Sequence, residues 1–124
     1  YIKTGKTQLS VMQVDGPSIS KYGVVKVNKS TGSAVGLIEK PDFKDAPSNL
    51  ASIGRYILHP DIFEILRNQS AGSGGEIQLS DAINILANAG NVNYLNLNAT
   101  RFDCGDMYGY IEAIKYISSR DNIC

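Results

Sequence analysis

Residues 36–56, with the sequence GLIEKPDFKDAPSNLASIGRY, constrain the fold more than any other part of the chain. The first residues indicate the end of a β-strand, which Pro41 stops because proline has no backbone donor for a strand partner. A polar loop then leads into a second strand-like run, residues 51–58. Glu39 and Lys40 lie where the first strand meets the loop. Such a position is typical of ligand-binding groups in α/β proteins, although an isolated Glu-Lys pair is more often a solvated surface pair.

Strand-like and helix-like patterns alternate along the rest of the chain. Short apolar or alternating runs predict five strands, over residues 9–14, 22–27, 34–40, 51–58 and 92–97. Apolar residues at helical spacing predict a helix near Pro60, a second over residues 76–89 with Ser80 as an alternative start, and a third from Met107 to Ile117. The segment NKSTGS predicts a hairpin. We therefore predict one α/β domain with a mixed sheet flanked by helices.

Composition and charge exclude several classes of protein. The 124 residues carry a formal net charge of zero, so no overall field attracts nucleic acid or a membrane surface. No apolar run approaches the roughly 20 residues of a spanning helix, and the N-terminal sequence lacks the pattern of a signal peptide. Cys104 and Cys124 do not form a disulfide framework, which favours a cytoplasmic location. Because Tyr1 stands where Met is usual, we expect the chain to be part of a longer protein.

Two glycines and one aspartate are further candidates for a site. Gly23 and Gly54 lie inside predicted strands, where glycine indicates close approach by a ligand or another backbone, or else a bulge or simple tolerance of glycine. Asp106 is well placed to cap the last helix, which leaves Asp103 free. Asp103 is then either a Mg²⁺ ligand, together with phosphate oxygens, or a second capping or turn residue. We expect its neighbour Cys104 to be a small buried residue.

Several common motifs are absent from the sequence. It contains neither a P-loop nor a dinucleotide-binding glycine motif, and no cysteine and histidine spacing typical of a zinc site. The glycine-rich residues 72–75 follow a helix rather than a strand, which favours a hinge or a cap. His59 has no evident nucleophile or metal partner in the sequence, so we expect a structural or solvent-facing role.

Taken together, five segments resemble a known family. They are YGVV at residues 22–25, EKP at 39–41, APSNLASIGRYIL at 46–58, GGEIQLSDAI at 74–83 and RFDCGD at 101–106. In order and spacing they resemble the C-terminal half of the bacterial UTP–glucose-1-phosphate uridylyltransferases. The related thymidylyltransferases usually have leucine-aspartate-threonine-glycine at the last motif, which differs from the sequence here.

The resemblance implies a Rossmann-like, GT-A-like nucleotidyltransferase fold and a reaction of UTP with glucose 1-phosphate that gives UDP-glucose and pyrophosphate. It implies that Glu39 contacts the sugar hydroxyls and Lys40 the sugar phosphate. The backbone of Gly23 would contact the sugar, and Gly54 would line the pocket. Asp103 would be one of two aspartates that hold a catalytic Mg²⁺.

The resemblance also implies that the N-terminal, nucleotide-binding half is absent from residues 1–124, and that this chain alone is inactive. Family members commonly associate, so we expect a homo-oligomer, as a dimer or tetramer. Alternatives are thymidylyl or cytidylyl transfer within the same superfamily, and a non-catalytic sugar-phosphate-binding or oligomerisation module.

Overall fold

Five strands form one mixed sheet in the computed structural model, which describes residues 1–72 and 75–121. The strands are β1 (Thr7–Gln13), β2 (Gly23–Val27), β3 (Ala34–Glu39), β4 (Leu50–Ile57) and β5 (Val92–Asn96). Their order across the sheet is β3-β2-β4-β1-β5. β5 runs parallel to β1, from the pair Thr7 and Val92 onward, and the other neighbours are antiparallel. The prediction of a mixed α/β sheet is confirmed.

The α-helices described in the structure are α1 (Ile62–Asn68), α2 (Leu79–Asn88) and α3 (Met107–Asp121). The short 3₁₀ helices Pro17–Lys21 and Phe43–Asp45 occupy connections that the sequence predicted to be loops. α1 begins two residues after Pro60, and α2 begins at Leu79 rather than at either predicted start. The start of α2 follows from Gln78, whose backbone is still extended. Of the glycine-rich residues 72–75, Ser73 and Gly74 lie outside the described residues, as does Cys124.

The main core lies on the face of the sheet that α1 and α2 cover. Alternate residues of β1 are buried there because successive side chains of a strand point to opposite faces. A stripe on α2 packs against them, and burial of a side chain such as Ile83 contributes about 1.5–3 kcal/mol. The largest members of this core are Leu9, Val11, Val25, Ile62, Ile83 and Val92. A smaller cluster of Ile19, Val24 and Ala51 lies apart from it.

A bulge interrupts the pairing of β1 with β4. Leu9 lies opposite Tyr56 and Val11 lies opposite Ser52. Ser10 of β1 therefore faces residues 53–55 of β4, so that β4 carries the extra length. Gly54 has a φ of 71°, a left-handed conformation that glycine adopts without steric cost. Of the interpretations of a glycine in this strand, the structure places a bulge at Gly54.

α3 differs from the other helices because none of its residues is buried. Its larger apolar side chains are all substantially exposed, and they include Met107, Tyr108, Tyr110, Ile111, Ile114, Tyr116 and Ile117. Within the described residues, no helix has the length and apolar character needed to cross a bilayer.

Candidate functional site

The hairpin of β2 and β3 brings two predicted site residues together at its open end. Gly23 begins β2 and pairs directly with Glu39, the last residue of β3. A Cβ atom at Gly23 would lie 2.9 Å from Oε2 of Glu39 and 3.3 Å from Cδ1 of Leu37. The absence of a side chain at Gly23 therefore makes room for the carboxylate of Glu39, which is otherwise exposed to solvent.

Lys40 has an unusual backbone conformation at the same end of the hairpin. Its φ is 45°, and among the described residues it is the one non-glycine residue with a positive φ. The left-handed region costs an L-amino acid roughly 1–2 kcal/mol, and such residues cluster at functional sites. The Lys40 N–H donates to the carbonyl oxygen of Tyr22 at 3.1 Å, which fixes the turn. Neither Glu39 nor Lys40 forms an ion pair within residues 1–72 and 75–121, so both charges are open to a ligand.

Arg101 connects this hairpin to the loop between β5 and α3. Its guanidinium lies over the ring of Tyr22, with Cζ 5.2 Å from the ring centroid, and Nη1 donates to the Tyr22 hydroxyl at 3.3 Å. Nη2 donates to Oδ2 of Asp103 at 3.2 Å. Tyr22 directly precedes Gly23 and accepts the Lys40 N–H. Through Arg101, the structure thus links the aspartate to the end of the hairpin.

Both oxygens of the Asp103 carboxylate accept hydrogen bonds. The backbone N–H of Gly105 donates to Oδ1 at 3.1 Å, and Arg101 donates to Oδ2. The Gly105 hydrogen bond, followed by the hydrogen bond and positive charge of Arg101, lowers the pKa of Asp103 below its ordinary value. The turn role predicted for Asp103 is therefore present, and the group stays ionised at neutral pH.

Asp106 and Gly109 fix the same loop against the start of α3. Oδ1 of Asp106 accepts the N–H of Gly109 at 2.8 Å, which confirms the predicted helix cap. A side chain at Gly109 would overlap the backbone carbonyl of Asp103. Cys104 is exposed, so the expectation of a buried cysteine is wrong. The reason is its position: no described residue of the loop from β5 to α3 belongs to either core cluster.

A cavity of about 190 Å³ lies between the hairpin and the loop. Its lining residues are Met12, Val14, Tyr22, Ala51, Ile53 and Arg101. A larger cavity of about 520 Å³ separates α1 from α2, but Asp61 and Glu64 line it and no lysine or arginine does. Because Arg101 lines the smaller cavity, charge favours that cavity over the larger one for an anionic ligand. Gly54 directly follows Ile53, but none of Gly23, Glu39, Lys40 and Gly54 is among the described residues that line the smaller cavity.

The described residues offer one carboxylate for a metal ion at this site. No group of three or more histidine, cysteine, aspartate or glutamate side chains is arranged to hold a metal in that part of the chain. Mg²⁺ commonly takes one or two protein carboxylates and completes its shell with water and phosphate oxygens. Asp103 therefore fits as a single protein ligand to a phosphate-bound Mg²⁺.

No sequence pattern assigned a role to Tyr22 or Arg101. Both belong to the segments that resemble the uridylyltransferases, but, although Arg101 pairs with Asp103 two residues away, nothing local links Arg101 to Tyr22. Two features of the sequence could have indicated a role for them. Arg101 is a cation two residues before Asp103, and Tyr22 is an aromatic residue next to Gly23. Their contact spans 79 positions of the chain, and local patterns do not reveal contacts of that length.

Comparisons with known proteins identify the family of the chain. A family model described as nucleotidyl transferase matches residues 2–120. The UTP–glucose-1-phosphate uridylyltransferase of Pseudomonas aeruginosa is 43% identical over 124 aligned residues, which cover 94% of this chain and 43% of that protein. A crystal structure of UDP-glucose pyrophosphorylase with UDP-glucose is 39% identical, with a TM-score of 0.85 over 97% of this chain and 47% of that one. The recognised family is confirmed.

The chain spans less than half the length of these relatives. A structure named as a glucose-1-phosphate thymidylyltransferase from Bacillus anthracis has a TM-score of 0.72 at 21% identity, with 90% of this chain and 43% of that one covered. At that identity the likeness concerns the fold alone.

Proposed function

Since the chain belongs to the nucleotidyl transferase family, we propose that it is the sugar-phosphate-binding, C-terminal part of a UTP–glucose-1-phosphate uridylyltransferase. The observation that carries the proposal is the end of the β2–β3 hairpin. There the carboxylate of Glu39 and the ammonium of Lys40, which form no ion pair with any described residue, adjoin a strand that starts with Gly23. A sugar phosphate carries hydroxyl donors and an anionic group, which match these two charges.

Each residue has a role that follows from its chemistry. The Glu39 carboxylate accepts hydrogen bonds from sugar hydroxyls, because an ionised carboxylate is an acceptor only. The Lys40 ammonium binds the phosphate as a compact cation with three donors. Gly23 leaves space for the Glu39 carboxylate and for the sugar. Under the proposal Gly54, in the bulge of β4, adjoins the pocket through its neighbour Ile53.

In the complete protein, an oxygen of glucose 1-phosphate attacks the α-phosphorus of UTP, which releases pyrophosphate and forms UDP-glucose. Both reactants are anions, so positioning and charge neutralisation supply most of the catalysis. Asp103 would hold a Mg²⁺, which supplies positive charge between the phosphates when bound. Arg101 and the N–H of Gly105 orient the Asp103 carboxylate for that task.

The nucleotide-binding side lies outside this chain under the proposal. We therefore expect UTP as the second substrate of the whole protein, no turnover by the 124-residue chain alone, a cytoplasmic location and assembly as a homo-oligomer. Under the proposal, the residues that select among uridylyl, thymidylyl and cytidylyl transfer lie mostly in that nucleotide-binding part. A pyrophosphate-release assay of the isolated chain with UTP, glucose 1-phosphate and Mg²⁺ checks the expected inactivity; turnover at an ordinary enzymatic rate would contradict it.

Isothermal titration of the chain with glucose 1-phosphate tests the proposal directly. We expect saturable binding that Lys40→Ala weakens about tenfold or more, the loss typical of one charged hydrogen bond. Lys44→Ala is the matched control, because Lys44 is an exposed lysine in the adjacent 3₁₀ helix. Glu39→Gln should weaken binding of glucose 1-phosphate but not of inorganic phosphate. Equal binding by the Lys40 and Lys44 variants, or none by the parent chain, would refute the proposal.

A further inference from the structure

We propose that a second cavity, beside the candidate site, binds a phosphate-class anion such as pyrophosphate. Its volume is about 290 Å³, and its polar lining consists of Arg55, Thr100 and Arg101. Met12, Ile53 and Leu97 supply part of its apolar wall. None of the described residues that line it is an aspartate or a glutamate. This cavity shares Met12, Ile53 and Arg101 with the smaller cavity of the candidate site. The inference rests on Arg55 and Thr100, which line the second cavity but not the smaller one, and does not depend on Glu39 or Lys40.

One wall of this cavity is the bulge of β4. Because residues 53–55 face the single residue Ser10, the strand departs from regular pairing at this point. Ile53 and Arg55 flank Gly54 within the bulge, and both line the cavity. Bulges are common next to binding sites because they redirect side chains from the regular ladder.

The opposite wall is the loop that follows β5, and it is anchored at three points. The N–H of Leu97 donates to the carbonyl of Val11 at 2.8 Å. Arg101 stacks on Tyr22 at 5.2 Å. The ring of Phe102 lies 5.2 Å from the ring of Tyr116 on α3. These contacts fix the loop in place before a ligand arrives, which reduces the entropic cost of binding.

The lining offers donors that the protein itself does not use. Within the described residues, the Arg55 guanidinium has no ion pair and the Thr100 hydroxyl has no hydrogen bond. Asp103 partly neutralises Arg101, so Arg55 carries most of the free positive charge. The planar guanidinium fork matches two phosphate oxygens. Charged groups that only donate favour an anion over a neutral sugar, whose hydroxyls also need acceptors.

The test is a titration of the 124-residue chain with inorganic pyrophosphate at fixed ionic strength, followed by NMR chemical shifts. We expect saturable shifts around Arg55 and Thr100, and binding about tenfold or more weaker in Arg55→Gln. Arg67→Gln is the control, because Arg67 is also exposed and without an ion pair in the described residues, but lies on α1. Thr100→Val, which keeps the side-chain shape, should weaken binding by a smaller factor.

Three results would overturn this proposal: no saturable binding, equal affinities in Arg55→Gln and the parent chain, or loss of pyrophosphate binding in Lys40→Ala. The last result would place the anion on the hairpin instead. Glucose 1-phosphate binding that is unchanged in Arg55→Gln but lost in Lys40→Ala would separate the two sites. Because Arg55 is exposed, its replacement is not expected to unfold the chain, and a thermal melt verifies this.

Discussion

The side chain of Asn84 makes with Leu37 both of the hydrogen bonds that a neighbouring strand would make. The Leu37 N–H donates to Oδ1 of Asn84 at 2.7 Å, and Nδ2 of Asn84 donates to the Leu37 carbonyl at 2.9 Å. Leu37 lies in β3, at the edge of the sheet. A helix side chain thus occupies backbone groups that would otherwise be open to pairing with another chain.

Replacement of Asn84 by alanine should therefore lower the free energy of unfolding by about 1–3 kcal/mol, because two partly buried backbone groups lose their partners. Asn88→Ala is the control on the same helix, since Asn88 is exposed, and we expect a change within about 0.5 kcal/mol. Urea denaturation measures both values. A similar loss in the two variants would contradict the bracing role of Asn84.

At Lys40, replacement by glycine should give a more stable chain than replacement by alanine. At an ordinary exposed lysine the alanine variant should be the more stable of the two. At a φ of 45°, Lys40→Gly removes the strain that Lys40→Ala retains, so the glycine variant should be the more stable by roughly 1 kcal/mol. At Lys44 the order should reverse, because glycine there only adds freedom to the unfolded chain. Thermal denaturation of the four variants measures this, and a less stable Lys40→Gly would exclude backbone strain at this turn.

Gly109 provides a test in which two effects have opposite signs. Helix propensity alone predicts that Gly109→Ala stabilises α3 by about 1 kcal/mol. Contact with the Asp103 carbonyl predicts the reverse, since the backbone must move to admit a methyl group. We expect faster amide exchange at the start of α3 and displaced signals for Asp103 and Gly105. Ser119→Ala, an exposed site on the same helix, should slow exchange slightly; the same response at Gly109 would argue against close packing.

Arg101 should account for part of the lowered pKa of Asp103, and the Gly105 N–H for another part. The pKa of Asp103 lies below its ordinary value of 3.8, first because of the Gly105 N–H and then because of Arg101. Arg101→Gln should therefore raise this pKa while leaving it below 3.8. Carboxyl carbon shifts followed through an acid titration measure it. Full return to the ordinary value would assign the whole effect to Arg101.

The sign of the accompanying stability change follows from the same shift. The folded chain holds the Asp103 proton less tightly than the unfolded chain, so the ionised group favours folding at neutral pH. This contribution is present above the ordinary pKa and is lost as pH falls through the lower, folded value. Since the group is exposed, the effect is small, and Asp103→Asn should remove it from the acid-unfolding curve.

Periodicity predicted the elements of the fold well. All five strands lie within two residues of their predicted bounds, and the hairpin of β2 and β3 forms as NKSTGS indicated. The reason is that burial of one face imposes a local pattern on each element. The strand order was not predictable in this way, because pairing of β1 with β5 depends on residues far apart in sequence.

The candidate site was predictable only in its local parts. Glu39, Lys40 and Asp103 were singled out because charged and turn residues stand together in the sequence, and the resemblance to the uridylyltransferases gave them their proposed roles. The left-handed backbone conformation of Lys40 was not predicted, since lysine rarely adopts it and no neighbouring residue in the sequence indicates it. The contact between Arg101 and Tyr22 was also not predicted, because it joins two segments that are 79 positions apart and come together only in the folded chain.

The position of β1 between β4 and β5 has a consequence for how the chain folds. β1 comes early in the sequence, yet its partners β4 and β5 come much later, so the pairs that surround it require closure of long loops. Native contacts of such long range slow folding, because chain entropy is lost before the contacts form. The contact of Tyr22 with Arg101 belongs to this late set. Ligand-binding competence should therefore emerge together with the last step of refolding, and not with the earlier hairpin.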